Sequence, residues 1–569
     1  MRYLVLAMDY DGTLATQGKP DSAALSAIER LRVSGRRAIL LSGRRLDDLL
    51  AVCPGIGLFD YVVAENGAVV YHPRTREQAL LTKPLPAEFI RRLQELTNDS
   101  IEVGKVIVAT WLPHQTAVLQ SIQEMGLELQ LVFNRQAVMV LPAGVNKATG
   151  LDYALRKLGL SRHEAVGLGD AENDHSFLER CECAVAVANA VPSIRQLAAF
   201  STNREAGQGV VELIDELIAD DLSRMHGRLE ENLVAIGFRS DGTPVTVAPY
   251  GLNILIAGPS GSGKTTVAAG LIERLIERDY QVCIVDPEGD YGTLEGVLTL
   301  GARRRTATVN EVLAVLEDPK MNLNVNLLGI PLLDRPEYFG HLFPSLQAMR
   351  TRTGRPHWIV VDEAHHMAPA DWGHLDTALP QKLGETVLVT VHPEHLAPMT
   401  LSLVDTVIAV GDSPKRTFTA FANATGRTLT WPGGLSYESG NAVVWFPGKE
   451  QPPFSMRIMS GRIERIRHLR KYAEGNMRDN SFYFRGPAGR HNLKAQNLMI
   501  FSQIAEGIEE ETWTYHLHRG DYSRWFRYSV KDPYLADHAE RIEQRQDLRP
   551  VETRELMLSF IEGRYTLPE

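Results

Sequence analysis

The chain has 569 residues, more than one ordinary core accommodates, so roughly two to four domains are expected. Hydrophobic residues make up 44% and charged residues 23%, with a net charge of −10, a soluble globular composition that gives no electrostatic case for a nucleic-acid binder. Four cysteines (Cys53, Cys181, Cys183, Cys283) form neither a disulfide framework nor a metal-ligand spacing, and no run stays apolar for the roughly 18 residues a membrane span needs.

The opening "RYLVLAM" is too short for a secretory core, and the expected location is the cytoplasm. Residues 1–222 alternate short apolar strands with helical periods. "YLVLAM", "RAILLSG", "YVVAEN" and "EAVGLGD" read as buried parallel strands, and "DSAALSAIERLRVSG" as an amphipathic helix closed by Gly35. This is a doubly wound, Rossmann-like α/β pattern. From about 71 to 140 the rhythm breaks. "AEFIRRLQELTND", "KVIVATW" and "QAVMVLP" read there as an inserted α+β cap.

Asp9 and Asp11 end the first strand at its carboxyl edge, where open α/β sheets bind ligands. Ser42 ends the second strand, Lys147 opens the helix "KATGLDYALRKLG", and "GLGDAENDHSF" places Asp170, Asn173 and Asp174 after a later strand. "DYDGT" alone leaves a solvated turn as an alternative. All four motifs in order point to phosphoryl transfer. A carboxylate can attack phosphorus to form an aspartyl-phosphate, and a hard cation held by oxygens lets the carboxylates coexist. A lysine and a hydroxyl can cradle the equatorial oxygens.

These motifs resemble the haloacid-dehalogenase (HAD) phosphatase superfamily over about 1–222. The resemblance implies Asp9 as nucleophile and Asp11 as general acid/base, with Ser42 and Lys147 binding phosphate. It implies a Mg2+ site made of Asp9, the backbone carbonyl of Asp11, Asp170 and Asp174, with Asn173 alongside. A cap between the Ser42 and Lys147 motifs, together with "AENGA" (Ala64–Ala68), resembles the Cof-type branch, which includes sucrose-phosphatase-like enzymes. A cap of that branch implies a small phosphorylated substrate such as a sugar phosphate.

A second α/β unit begins near Asn232. "LNILIAG", "QVCIVD", "HWIVVDE", "TVLVTVH" and "DTVIAVG" read as buried strands. "GPSGSGKTT" (Gly258, Pro259, Ser260, Gly261, Ser262, Gly263, Lys264, Thr265, Thr266) is a phosphate loop between strand and helix. Its glycines let backbone N–H groups wrap the β-phosphate, Lys264 reaches the β- and γ-oxygens, and Thr265 offers its hydroxyl to Mg2+. In "VVDEAHH", Asp362 is placed to hold the metal and Glu363 to polarise the attacking water; Thr390 and His392 are a weaker candidate sensor of the γ-phosphate. With "IVDPEGDY" (Ile284–Tyr291) these features resemble HerA/FtsK-type motor ATPases over about 232–450, implying a RecA-like fold, ATP and a hexameric ring completed by a neighbour's arginine. Arg416 and Arg427 are candidates for that arginine.

From 461 the chain reads as a small, mainly helical domain. "GRIERIRHLRKYAEG" is basic, and later aromatics interleave with Arg and His. Two readings stay open: a phosphate- or nucleic-acid-binding surface, and an aromatic core under a solvated basic face. The expected domains are therefore 1–222, 223–460 and 461–569. The leading function is a Mg2+-dependent phosphomonoesterase tied to an ATPase that regulates or oligomerises it. The alternatives are a nucleic-acid motor whose HAD domain trims phosphate ends, a polynucleotide kinase/phosphatase, and an ATP-switched scaffold with a silent HAD domain. Adjacent Asp362–Glu363 suits activation of water better than a kinase, and a cap favours small molecules over duplex ends.

Overall fold

Strands buried on both faces read as near-continuous apolar runs, and two large sheets are built this way in the computed structural model. It describes residues 1–98, 100–134, 136–224, 233–369, 383–433, 435, 440–459, 461, 481–530, 532–545 and 547–565. Most of the basic segment at 461–475 lies outside them. Met1–Met459 forms one compact unit and Ser460–Glu569 a second.

The first sheet has eight strands. Phe200–Ser201, Cys183–Ala186, Ala165–Gly169, Val5–Asp9, Arg37–Leu41 and Tyr61–Ala64 run parallel, and Val69–His72 and Glu77–Leu80 extend it antiparallel. That extension corrects the expected start of the inserted cap near residue 71. A tight turn with Arg76 at φ 61° folds Glu77–Leu80 back onto the main sheet, with Val69 opposite Leu80. The separate layer therefore begins at the helix Ala87–Leu96. Its own four-stranded sheet ends at Ala137–Pro142, and Phe89, Leu93, Val118 and Val140 form its small core.

The second sheet has eleven strands. Its parallel centre runs Thr406–Val410, Asn253–Ala257, Thr386–Thr390, Trp358–Val361, Val282–Asp286, Asn322–Asn326, Val297–Leu300. All five apolar runs read from the sequence lie in it. Two hairpins, Val234–Phe238 with Pro244–Val247 and Asn441–Trp445 with Phe454–Ile458, pair with each other and extend it antiparallel beyond Thr406–Val410.

The two sheets meet within the first unit through buried polar groups. Glu164 Oε1 lies 2.7 Å from His357 Nε2, and Arg355 Nη2 donates to Gly159 O at 2.5 Å. His163 stacks on Tyr280 at 3.7 Å between ring centroids, and the Arg2 guanidinium sits 3.8 Å over Tyr250. His163 faces Glu182 Oε2 at one ring nitrogen (2.7 Å) and Arg278 O at the other (2.8 Å).

Among its described residues the second unit has five α-helices and a short hairpin around an aromatic core. Trp513 stacks on Tyr522 at 4.5 Å and Phe501 on Trp525 at 5.0 Å, and Phe526 is buried with them, whereas Tyr528 is 71% exposed. Most of its aromatics are thus core. His516 is tied to Asp521 at 2.8 Å. All four cysteines are buried and free. No helix among the described residues is long and apolar enough to cross a membrane.

Candidate active sites

The strand Val5–Asp9 lies between Arg37–Leu41 and Ala165–Gly169, so Ser42 and Asp170 fall on either flank of Asp9. Asp9, Ser42, Lys147, Asp170 and Asp174 are all buried. Asn146 caps the helix Lys147–Leu158 through a reciprocal pair of bonds with Thr149, which fixes Lys147 at the helix's first position. Lys147 Nζ donates to Asp9 Oδ1 at 2.5 Å and to Asp174 Oδ1 at 2.6 Å. Asp174 Oδ2 accepts the N–H groups of Asp170 and Ala171 at 2.9 and 3.0 Å. Thr13 Oγ1 donates to Asp170 Oδ1 at 3.0 Å.

One oxygen each from Asp9, Asp170 and Asp174 lies within 4.8 Å of the others. Three carboxylates facing one ammonium leave an excess of two negative charges in a buried site. Burial and the charge of Asp174 push the Asp9 carboxyl well above its ordinary range. Burial works against the Lys147 charge, but Asp174 and Asp9 outweigh it and hold its pKa above the usual lysine value. An all-oxygen donor set short of two positive charges fits a hard divalent cation.

The Asp11 side chain is not in that cluster. Its two oxygens receive Arg44 Nε at 2.6 Å and Nη2 at 2.8 Å, and Arg44 Nη1 also reaches Asp48 at 2.7 Å. Ser42 Oγ accepts from Arg44 N at 3.1 Å, and Asn173 Nδ2 donates to Asn66 Oδ1 at 3.3 Å.

In the second sheet the phosphate loop leaves the strand Asn253–Ala257, and Gly263, with φ 99°, opens the helix Lys264–Ile276. A side chain at Gly258 would come 2.0 Å from Val410 O, so only glycine fits there. Lys264 Nζ donates to Pro259 O at 3.1 Å. Thr386–Thr390 separates the loop strand from Trp358–Val361, which brings Thr390 between loop and acid pair. Burial and the neighbouring Glu363 push the Asp362 carboxyl up to about 8. Glu363 holds a left-handed backbone at φ 41°, strained for a non-glycine residue, and its carboxyl is raised by burial. His365 Nδ1 lies 3.1 Å from Thr390 Oγ1 and 3.4 Å from Glu363 Oε2. His392 faces Glu394 at 3.3 Å. Arg427 donates to Ser402 O, and Arg416 is exposed on the helix Pro414–Thr425.

Residues 6–110 and 94–214 match the family model for haloacid dehalogenase-like hydrolases, and 240–336 match that for the central domain of the helicase HerA. The phosphoglycolate phosphatase of Archaeoglobus fulgidus is 30% identical over 216 residues, covering 37% of this chain and 96% of that protein. This chain belongs to the haloacid dehalogenase-like hydrolases. The phosphoglycolate phosphatase of Methanothermobacter thermautotrophicus is 28% identical over 218 residues, covering 37% and 96%. A crystal structure of a haloacid dehalogenase-like hydrolase from Bacteroides thetaiotaomicron aligns at 18% identity and TM-score 0.34, covering 38% of this chain and 99% of that one. The hydrolase thus joins a phosphatase half to a HerA-type ATPase half.

Several residues that shape the hydrolase's sites escaped the sequence reading. Gly12, at φ 86°, has room for no Cβ, which would fall 2.3 Å from Asp170 Oδ2. The buried Glu65 carboxylate accepts the N–H groups of Lys105, Val106 and Ile107 at 2.8, 2.8 and 3.2 Å, tying "AENGA" to the turn between Glu102–Val103 and Val108–Trp111 of the inserted layer. Gly67, at φ 106°, abuts Asn146 O and so lets the Lys147 helix start where it does. Asp286 accepts the N–H groups of Gly289, Asp290 and Tyr291 and folds the "DPEGDY" loop. Gly12, Glu65, Gly67 and Asp286 all stood in quoted stretches, as did most of their partners; which of them meet was not legible.

Proposed function

We propose that the first half is a Mg2+-dependent phosphomonoesterase acting on a small phosphate ester, and that the second half binds and hydrolyses ATP and bears on the first through their shared junction. The observation that carries the reading is the buried cluster of Asp9, Asp170 and Asp174 around Lys147, short of two positive charges. Phosphoglycolate, named for the relatives above, is the first substrate to test, followed by sugar phosphates.

Asp9 is the nucleophile. Its oxygen bonds to phosphorus, the ester P–O bond breaks, and Asp11 gives a proton to the leaving oxygen. Asp11 then takes a proton from a water whose oxygen attacks the aspartyl-phosphate and frees Asp9. Lys147 and Ser42 hold the transferring phosphoryl oxygens. Asp11 first has to leave the two-pronged grip of Arg44. A bound Mg2+, held by Asp9, Asp170 and Asp174 with the Asp11 carbonyl, supplies positive charge to the phosphoryl group. In the second half Lys264 and the loop N–H groups hold the ATP phosphates, Thr265 and Asp362 hold its metal ion, and Glu363 orients the water.

Phosphate release from phosphoglycolate and sugar phosphates, with and without ATP, tests this. Asp9→Asn is expected to stop ester hydrolysis but not ATP hydrolysis, and Lys264→Ala the reverse. Full phosphatase turnover in Asp9→Asn would refute the nucleophile assignment.

A further inference from the structure

A cavity of about 370 Å3 lies between the two halves of the first unit, within the ~300–1,000 Å3 of small-molecule sites. One wall comes from the helix Lys147–Leu158 and the turn after it. The other comes from the end of the helix Lys264–Ile276 and the turn before Asn322. Leu155, Leu160, Ile276 and Tyr280 give it apolar surface.

Arg156, Arg162, Arg180 and Lys320 line it together with Asp152 and Asp279. Four cations against two carboxylates leave an excess of two positive charges, in a chain whose net charge is −10. Both carboxylates are already engaged. Arg180 Nε donates to the two Asp152 oxygens at 3.0 and 3.1 Å, and Asp279 Oδ2 lies 3.4 Å from Arg162 Nε and 3.7 Å from Arg180 Nη1. Arg162 Nε is nonetheless buried without a hydrogen-bond acceptor. Arg156 and Lys320 have no ion pair among the described residues, and they come from opposite halves.

We propose that this cavity binds a small organic phosphate, its dianionic end between Arg156 and Lys320 and its apolar end against Leu155, Leu160, Ile276 and Tyr280. A phosphate monoester dianion matches the two unpaired charges and offers an acceptor to Arg162, whereas a monocarboxylate neutralises only one. The ligand is an effector and not a substrate. Leu160–Arg162 and Tyr280 precede the strands Ala165–Gly169 and Val282–Asp286, so they stand at the sheet edges opposite to those that carry Asp9 and Lys264. The cavity also shares its wall with the junction. Ser161 Oγ lies 3.2 Å from His357 Nε2, and Tyr280 stacks on His163. A molecule held by both walls stabilises their contact by mass action.

Phenylphosphonate, a dianion with an apolar ring that no phosphatase cleaves, is the probe. It is titrated calorimetrically into the full chain without divalent cations, and its effect on the thermal midpoint is followed in parallel. Saturable binding and a rising midpoint are expected. Arg156→Glu and Lys320→Glu, both surface changes, should each weaken binding about tenfold or more, equivalent to ~1.4 kcal/mol, and leave unliganded turnover of both activities unchanged. Binding should persist in the Asp9→Asn, Lys264→Ala double variant. Absence of saturable binding overturns the proposal. So does binding that survives both charge reversals, or that vanishes in the double variant, because the probe then occupies the catalytic edges.

Discussion

Glu164 Oε1 and His357 Nε2 meet at 2.7 Å, and each residue directly precedes a strand that ends in acid. Glu164 precedes Ala165–Gly169 and Asp170; the His357 strand, Trp358–Val361, leads to Asp362. The Gln281 N–H donates to His357 Nδ1 at 2.7 Å, so the ring proton sits on Nε2 and is given to Glu164. Burial pushes Glu164 up to about 7 and His357 well below its ordinary value.

The pair predicts a pH dependence of stability. For Glu164 the folded chain keeps a proton that the unfolded chain loses above about 4.5, so stability falls as pH rises towards 7. For His357 the unfolded chain takes up a proton below about 6.5 that the folded chain refuses, so stability falls as pH drops below that. Between about 6.5 and 7 only the Glu164 loss operates, and above it the loss is complete. Glu164→Gln should remove the decline on the neutral side while costing about 1–3 kcal/mol where Ser161 N–H loses its carboxylate. Thermal midpoints across pH read this out; parallel curves for the two chains would exclude it.

Gly12→Ala should abolish phosphatase activity. The new methyl group would press on Asp170, and φ 86° strains any side chain. Mg2+ should no longer raise the thermal midpoint of this variant, while ATP hydrolysis continues. A Gly12→Ala chain with normal Mg2+ response would show that Asp170 moves freely.

Removing divalent cations should itself separate the two halves of the acid cluster's behaviour. Wild-type protein is expected to lose ester hydrolysis in a chelator and to melt earlier. Asp174→Asn, which eases the excess negative charge, should melt at nearly the same temperature with and without Mg2+. Calorimetry in matched buffers distinguishes the cases.

Glu65→Ala leaves three backbone N–H groups without their acceptor and should cost about 2–4 kcal/mol. Because Glu65 ties the core to the inserted layer, KM for the phosphate ester should rise more than kcat falls. An equal drop in kcat with unchanged KM would place its effect on the chemistry instead.

Glu363→Gln should retain ATP binding and lose hydrolysis by about 10²–10⁴-fold, the usual contribution of a positioned base. Filter binding together with phosphate release separates the two steps. Unimpaired release would move the role to another group near Thr390, such as His365.

The central strands of both sheets were legible because they are unbroken apolar runs punctuated by Gly, Asp and Ser; Asn322–Asn326, with alternating asparagines, was not. Asp9, Ser42, Lys147, Asp170 and Asp174 were legible because each sits where a strand ends or a helix starts. The turn after His72 was not, since only long-range pairing decides whether Glu77–Leu80 joins the main sheet or the insert. Nor was the Arg44 grip on Asp11, which depends on two loops meeting in space. Glu164 and His357 gave no signal at all. Each reads as an ordinary polar residue before a strand, and the partner that makes it matter lies 193 positions away.

That pairing also has a consequence for descent. A buried residue pair spanning two halves can drift only in concert, because either replacement alone strands the other in a dry interior. A phosphatase without the second half has no His357 to satisfy, so the constraint on Glu164 belongs to chains that carry both halves. Exchange of Glu164 and His357 should therefore appear as joint replacements in chains that carry both halves.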